Sequence, residues 1–399
     1  MQQKEIRPPA SGRTLMAESS APDLPSRPYQ RKPALPALTG LRAILAVLIL
    51  LFHFTPGRID PIRPIIDGSY VFVGCFFLIS GFVLSYNYDD RALSLVKRDF
   101  WLARFSRLYP TYIFALLLSL PFLLVEWRAR PHAEFWRGLV LTPLLLQGWS
   151  PTLATFWNTV AWTLSAEVML YLAFPFLLRA WNTRAPHWNT PGRLLTLLIG
   201  FWIIGIMPHL WYFLANPDHL SSPADRYTGL FWIRVLKFTP PAYICTFLAG
   251  LTLGKLHLRL HLSPRQSLAA ATSAIAILVA FFYAAAPHLP YVVIHGALLL
   301  PVFCLLVLGL SGSNRIAQAL GWRPLVLFGE ATFALYLLHF NTFLLLHTYR
   351  IPDRLHLTPL DPWISYAAIL VLAWLTYRYI ENPSRKRILA AFSTATPKP

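Results

Sequence analysis

Apolar residues fill this chain in long blocks separated by short polar stretches. Ten such blocks occur, at 37–55, 69–88, 106–126, 158–178, 194–214, 238–255, 266–286, 290–310, 324–349 and 361–380. Most are near the roughly 20 residues that a helix needs to cross a hydrocarbon core about 30 Å thick. Strand-like alternation of polar and apolar positions is absent, which argues against a membrane β-barrel. An eleventh run, Gly138 to Trp149, is too short to cross as a straight helix and is read as a re-entrant or surface helix. The pattern therefore predicts an all-α, polytopic transmembrane bundle of about ten spanning helices plus that short element.

The polar ends divide the chain further. Residues 1–36, rich in Pro, Ser and Arg, read as a disordered cytoplasmic tail, 37–385 as the membrane domain, and 386–399 as a cytoplasmic C-terminal tail. Composition agrees with a membrane protein: 56% of residues are hydrophobic and only 13% charged, against about a quarter charged in soluble domains. The net charge of +18, from 35 Lys+Arg and 17 Asp+Glu, would point to nucleic acid in a soluble protein. In a membrane protein it is what cytoplasmic loops collect, so nucleic acid is not expected as a partner. If the run at 138–149 does not cross, most basic residues fall on one side together with both termini. If it crosses, they split almost evenly. The first arrangement predicts a multi-pass protein of the cell (inner) membrane with both termini cytoplasmic. Cys75, Cys245 and Cys304 all lie within apolar runs, and neither a disulfide framework nor a metal site is expected.

Ionisable groups inside spans are costly, about 2.5–3.5 kcal/mol each at the helix centre, so they are the first place to look for chemistry. Arg42 and His53 stand eleven positions apart in the first run. They point almost the same way, about 16 Å apart along the axis, and can line one cavity or act as a snorkelling anchor and a headgroup-level imidazole. Arg104 and Arg107, at i and i+3, can grip one anion together or anchor the cytoplasmic end. Glu167 lies mid-span with Thr163 and Tyr171 on its face, as a functional carboxylate or a buried partner for Arg or His. His339 shares a face with Thr332, Tyr336 and Phe343, and a hydrogen-bonded structural role is as open as a catalytic one. Glu381 is read as a cap or salt bridge at the inner interface, and Gly74 with Gly81 as a helix-packing face.

Taken in order, these segments resemble the acyltransferase-3 family of integral membrane O-acyltransferases. The matching pieces are Leu38-Thr39-Gly40-Leu41-Arg42 with His53 beyond it, Phe76-Phe77-Leu78-Ile79-Ser80-Gly81-Phe82, and Arg104-Phe105-Ser106-Arg107-Leu108-Tyr109-Pro110. Trp162-Thr163-Leu164-Ser165-Ala166-Glu167, the run from Gly329 to His339, and Ile380-Glu381-Asn382-Pro383 follow. The resemblance implies transfer of an acyl group, usually acetyl, from cytoplasmic acyl-CoA (acetyl-CoA) to a hydroxyl of a glycan, a lipid-linked sugar or a similar acceptor, without a metal. It implies membrane lipid and a glycan-biosynthesis complex as surroundings. On this reading Arg42, Arg104 and Arg107 hold the donor, and His53, Glu167 and His339 are catalytic, with His53 the general base. The competing class is a proton-coupled transporter or flippase for a sugar or lipid-linked substrate, which broken helices and an internal repeat would favour. A noncatalytic scaffold would need neither Glu167 nor the pairing of Arg42 with His53.

Overall fold

The computed structural model describes residues 32–57 and 59–392, and the secondary structure among them is entirely helical. Six helices are long and apolar enough to cross a membrane: Pro36–His53, Asp60–Arg91, Trp162–Arg184, Pro191–Ala215, Pro264–His288 and Trp363–Phe392. Two bent helix pairs would add a span each if each pair crosses as one. Lys97–Leu118 meets Pro121–Ala129 at 71°, and Arg323–Glu330 meets Thr332–Thr348 at 62°. The first break falls just before Pro121, which lacks the N–H that would continue the helix. At the second, the Thr332 hydroxyl donates to the Gly329 carbonyl at 2.7 Å, bonding a group the helix ladder would otherwise use. Most of the proposed N-terminal tail lies outside the described residues, and the Asn382–Phe392 helix continues past residue 385.

Two expected spans are shorter than predicted. The run 238–255 holds Ile244–His257, preceded by a tight turn over Pro240–Tyr243, and 290–310 holds Ala297–Leu310 after a break at Gly296. A helix of 14 residues rises about 21 Å, less than the hydrocarbon thickness. The prolines at 240, 241 and 290 interrupt apolar runs that hydropathy alone reads as continuous.

The run 138–149 also differs from expectation. The helix His132–Leu141 ends within it, and residues 142–161 continue as turns and a single tight helical turn, Gln147–Trp149. Pro143, Gly148 and Pro151 prevent helix here. This irregular backbone is tied to two helices, Lys97–Leu118 and Thr332–Thr348. Tyr112 donates to Thr142 O at 2.5 Å, the Trp157 indole to Leu116 O at 3.0 Å, Asn158 to Leu337 O at 3.1 Å, and Asn341 to Trp157 O at 2.8 Å. Non-helical backbone is tolerated at membrane depth only when it is satisfied by protein in this way.

Close helix contact comes from small residues. A Cβ at Gly81 would lie 2.3 Å from Phe247 O, and one at Gly250 would lie 2.2 Å from Leu78 O, so the Phe72–Tyr88 and Ile244–His257 helices touch backbone to backbone. Gly74 meets nothing within 4 Å and is not part of that contact, contrary to the sequence expectation. The Pro191–Ala215 helix buries only Leu194, His209 and Tyr212 and leaves Ile199, Ile203, Ile204 and Met207 exposed, a surface suited to lipid rather than water.

Candidate active site

The Pro36–His53 helix carries Arg42 near one end and His53 as its last residue, and it packs against the bent pair around Ala331. Around Arg42 the structure gathers charge from several elements. Arg104 and Arg107 come from the Lys97–Leu118 helix, Glu167 and Tyr171 from the Trp162–Arg184 helix, and Glu381 from the turn leading into Asn382–Phe392. The Arg42 charge interacts with those of Arg107, Glu167 and Glu381. Tyr171 donates its hydroxyl to Glu167, with Ser80 Oγ 3.1 Å from the Tyr171 oxygen. Arg104 lies over the rings of Phe100 and Tyr171, at 5.3 and 5.6 Å, and donates to Tyr88 Oη at 3.4 Å. Among the described residues none of Arg42, Arg104 and Arg107 forms an ion pair. Three half-buried guanidiniums without fixed carboxylate partners make a site for an anion, and their fork geometry suits phosphate.

Glu167 does not engage an imidazole or a cation directly, as the sequence expectation had it. Its bonded partner is the Tyr171 hydroxyl, one helical turn on. Its charge reaches Arg42 and Arg104 on one side and Tyr336 on the other. Tyr336 in turn adjoins His339, ring centroids 5.8 Å apart. A file of polar groups thus runs through an apolar bundle from the three arginines to His339.

At the far end of the file His53 and His339 meet, with ring centroids 5.2 Å apart, and Phe340 stands edge-on to His53 at 5.0 Å. His339 Nδ1 lies 2.7 Å from the Tyr336 carbonyl oxygen, which can only accept, so Nδ1 carries the proton. In the neutral ring Nε2 is then a bare acceptor, and it is buried with no partner. His53 is the more accessible of the two. A pair of adjoining imidazoles with a free basic nitrogen can take a hydroxyl proton and hold it away from water.

The sequence pointed to Arg42, His53, Arg104, Arg107, Glu167 and His339, and the structure arranges them along one file. Two further members join it, Glu381, which the sequence did not mark as part of the site, and Arg226, which it did not mark at all. Glu381, expected as a cap or salt bridge, is buried, 4% exposed, with Oε2 unpartnered and its charge set against Arg42 and Arg107. Arg226 comes from the loop after the Pro191–Ala215 helix and lies 4.8 Å over the Phe52 ring, next to His53. The spacing of Ile380-Glu381-Asn382-Pro383 after an apolar run held a clue to Glu381; nothing local marked Arg226. Among the described residues no group of three or more His, Cys, Asp or Glu converges to hold a metal ion.

Comparison with known proteins matches residues 35–378 to a family model described as an acyltransferase domain. Acyltransferase MdmB of Streptomyces mycarofaciens is 28% identical over 277 residues, 67% of this chain and 66% of that protein. O-acetyltransferase OatA of Staphylococcus aureus is 22% identical over 351 residues, 82% of this chain and 54% of that protein. The chain therefore spans between about half and two thirds of the length of these curated relatives. No solved structure matches.

Proposed function

The chain belongs to the acyltransferase-3 family, and from that premise we propose that it is a membrane O-acyltransferase moving an acyl group, acetyl above all, from acyl-CoA to a hydroxyl of a glycan or lipid-linked sugar. The observation that carries this reading is the polar file: guanidiniums that make no ion pair among the described residues at one end, the adjoining His53 and His339 imidazoles at the other, and apolar walls between. Arg42, Arg104 and Arg107 would hold the phosphates of coenzyme A on the cytoplasmic side, with the thioester directed towards the imidazole pair. The acceptor hydroxyl approaches from the opposite face, and His53 takes its proton as the oxygen attacks the thioester carbonyl. The tetrahedral adduct collapses, the C–S bond breaks, the ester stays on the acceptor, and the thiolate recovers the proton as free thiol. His339, anchored by the Tyr336 carbonyl, backs the base and keeps water out. General-base action supplies about 10²–10⁴-fold, and positioning supplies the rest.

The test is acetyl transfer from labelled acetyl-CoA by purified protein. His53→Ala is expected to lose at least about a hundredfold in rate while keeping coenzyme A binding. Arg107→Ala is expected to raise the donor KM roughly ten- to a hundredfold, the value of a charge-assisted phosphate contact, and to leave the acceptor KM in place. A His53→Ala enzyme with more than a tenth of the wild-type rate assigns the base elsewhere, His339 first. The two bent helix pairs are a feature that a transporter or flippase would share. Movement of labelled lipid-linked sugar across proteoliposomes without acetyl-CoA would favour that reading instead.

A further inference from the structure

The loop 216–230 looks irregular in sequence but is closely built. Asn216 takes the Leu220 N–H and returns a bond to Leu220 O, both at 2.9 Å. The Asp218 carboxylate accepts from Trp232 N and Ile233 N, each at 3.1 Å, and from the Tyr212 hydroxyl at 3.0 Å, so the loop is pinned to the helices on both sides. Asp225 closes a turn by accepting from Tyr227 N at 2.9 Å and from Thr228 N and Oγ1, each at 2.8 Å. Lys237, only 6% exposed, donates from Nζ to the Arg226 carbonyl at 2.9 Å. A buried ammonium, set over the Phe238 and Tyr291 rings at 5.4 and 5.3 Å, is a costly way to hold a loop residue, and the residue its one hydrogen bond holds is Arg226.

The Arg226 side chain turns towards the imidazole pair. Its guanidinium carbon lies 4.8 Å from the Phe52 ring centre and 4.7 Å from that of Tyr227, and Nη2 donates to the Tyr227 hydroxyl at 2.6 Å. Its charge acts on His53 and on Tyr291. Tyr70 and Tyr291, ring centroids 4.8 Å apart, continue the aromatic wall behind Phe52. Among the described residues Arg226 has no ion pair, and the nearest acid in sequence, Asp225, is used within its own turn. A guanidinium has five donors in a fixed fork, and this one spends a single donor on a phenol.

We infer that Arg226 is a specificity-determining residue that recognises an anionic group, carboxylate or phosphate, on an acceptor whose neighbouring hydroxyl is presented to His53. The inference rests on the acyl-transfer reading and extends it to the acceptor. The exposed Tyr227 ring supplies a flat apolar face against which a sugar ring can lie, while the guanidinium fixes its orientation. Arg226 acts on binding of the acceptor and takes no part in the proton transfer.

The experiment measures acetyl-CoA turnover by the purified full-length protein with three acceptor probes: methyl glucoside, methyl glucuronide and glucose 1-phosphate, against a control with water alone. Wild type is expected to use one of the two charged probes at least roughly tenfold better than the neutral one in kcat/KM, and the pair of charged probes tells carboxylate from phosphate. Arg226→Gln is expected to remove that preference through acceptor KM, by roughly ten- to a hundredfold, with donor KM unchanged. Arg226→Lys is expected to restore part of it, which a merely structural loop residue would not do. Turnover with equal use of neutral and charged probes, or a Gln variant that affects all probes alike, overturns the inference and leaves acyl transfer standing. No thioester turnover with any probe or with water overturns the acyl-transfer reading and this inference with it.

Discussion

At the residue scale the site is a matter of which polar groups are left unspent. The three arginines, the Glu381 carboxylate and His339 Nε2 are enclosed, and among the described residues the arginines make no ion pair while Glu381 Oε2 and Nε2 have no hydrogen-bond partner. Glu167 differs, because Tyr171 already bonds it. Its role follows from charge more than from shape, since it faces Arg42 and Arg104 in an apolar surround. Glu167→Gln keeps an oxygen for Tyr171 to bond and removes the charge. Acetyl-transfer rates at equal membrane abundance are expected to fall roughly ten- to a hundredfold, with the donor end more disturbed than the acceptor end. Full activity in the Gln variant would return Glu167 to a packing role. Arg42, His53, Glu167 and His339 were legible in the sequence because a charge or imidazole within an apolar run has no inexpensive explanation. Arg226 was not, because a basic residue in a polar loop is ordinary, and only the folded loop reveals that it is turned inward. Glu381 was read as a cap or salt bridge at the inner interface, and its place just beyond an apolar run did not show that it is buried with its charge against Arg42 and Arg107.

At the scale of elements, run length told where helices lie and said little about how they are interrupted. The first, fifth and seventh spans appear close to their predicted limits, while the second is longer, Asp60–Arg91 against 69–88. The bends before Pro121 and at Ala331 and the shortened Ile244–His257 and Ala297–Leu310 helices depend on proline placement and on hydroxyl-to-carbonyl bonds, to which a hydropathy window is blind. The two glycines of the Phe72–Tyr88 helix, read together as a packing face, separate clearly. Gly81→Ala forces a Cβ against the Phe247 carbonyl and is expected to cost about 1–3 kcal/mol, seen as a lower thermal midpoint in detergent. Gly74→Ala meets open space and is expected to change stability by less than about 0.5 kcal/mol. Equal losses from the two substitutions would mean that the close crossing of these helices is not what makes Gly81 necessary.

For the whole molecule, the all-α bundle was legible from composition and block length, while its orientation rests on the distribution of Lys and Arg. Reporter fusions after residues 92, 187, 260, 316 and 390 are expected to read cytoplasmic, and fusions at 62, 132, 222, 288 and 356 external. That outcome would put the three arginines on the cytoplasmic side and Arg226 on the other. Fusions beyond residue 150 that read the opposite side would show that the run 138–149 crosses, reversing everything after it. The irregular segment 142–161 also sets a clock on biogenesis. Its Asn158 bonds the carbonyl of Leu337, 179 residues later, and its Trp157 carbonyl is bonded by Asn341, 184 residues later. At about 5–20 residues per second, the ribosome needs on the order of ten to forty seconds to make those partners. For that interval the first half of the protein sits in the bilayer with unsatisfied backbone and an incomplete polar file, so whatever shields nascent membrane chains must act on this one before its ninth apolar block, 324–349, arrives.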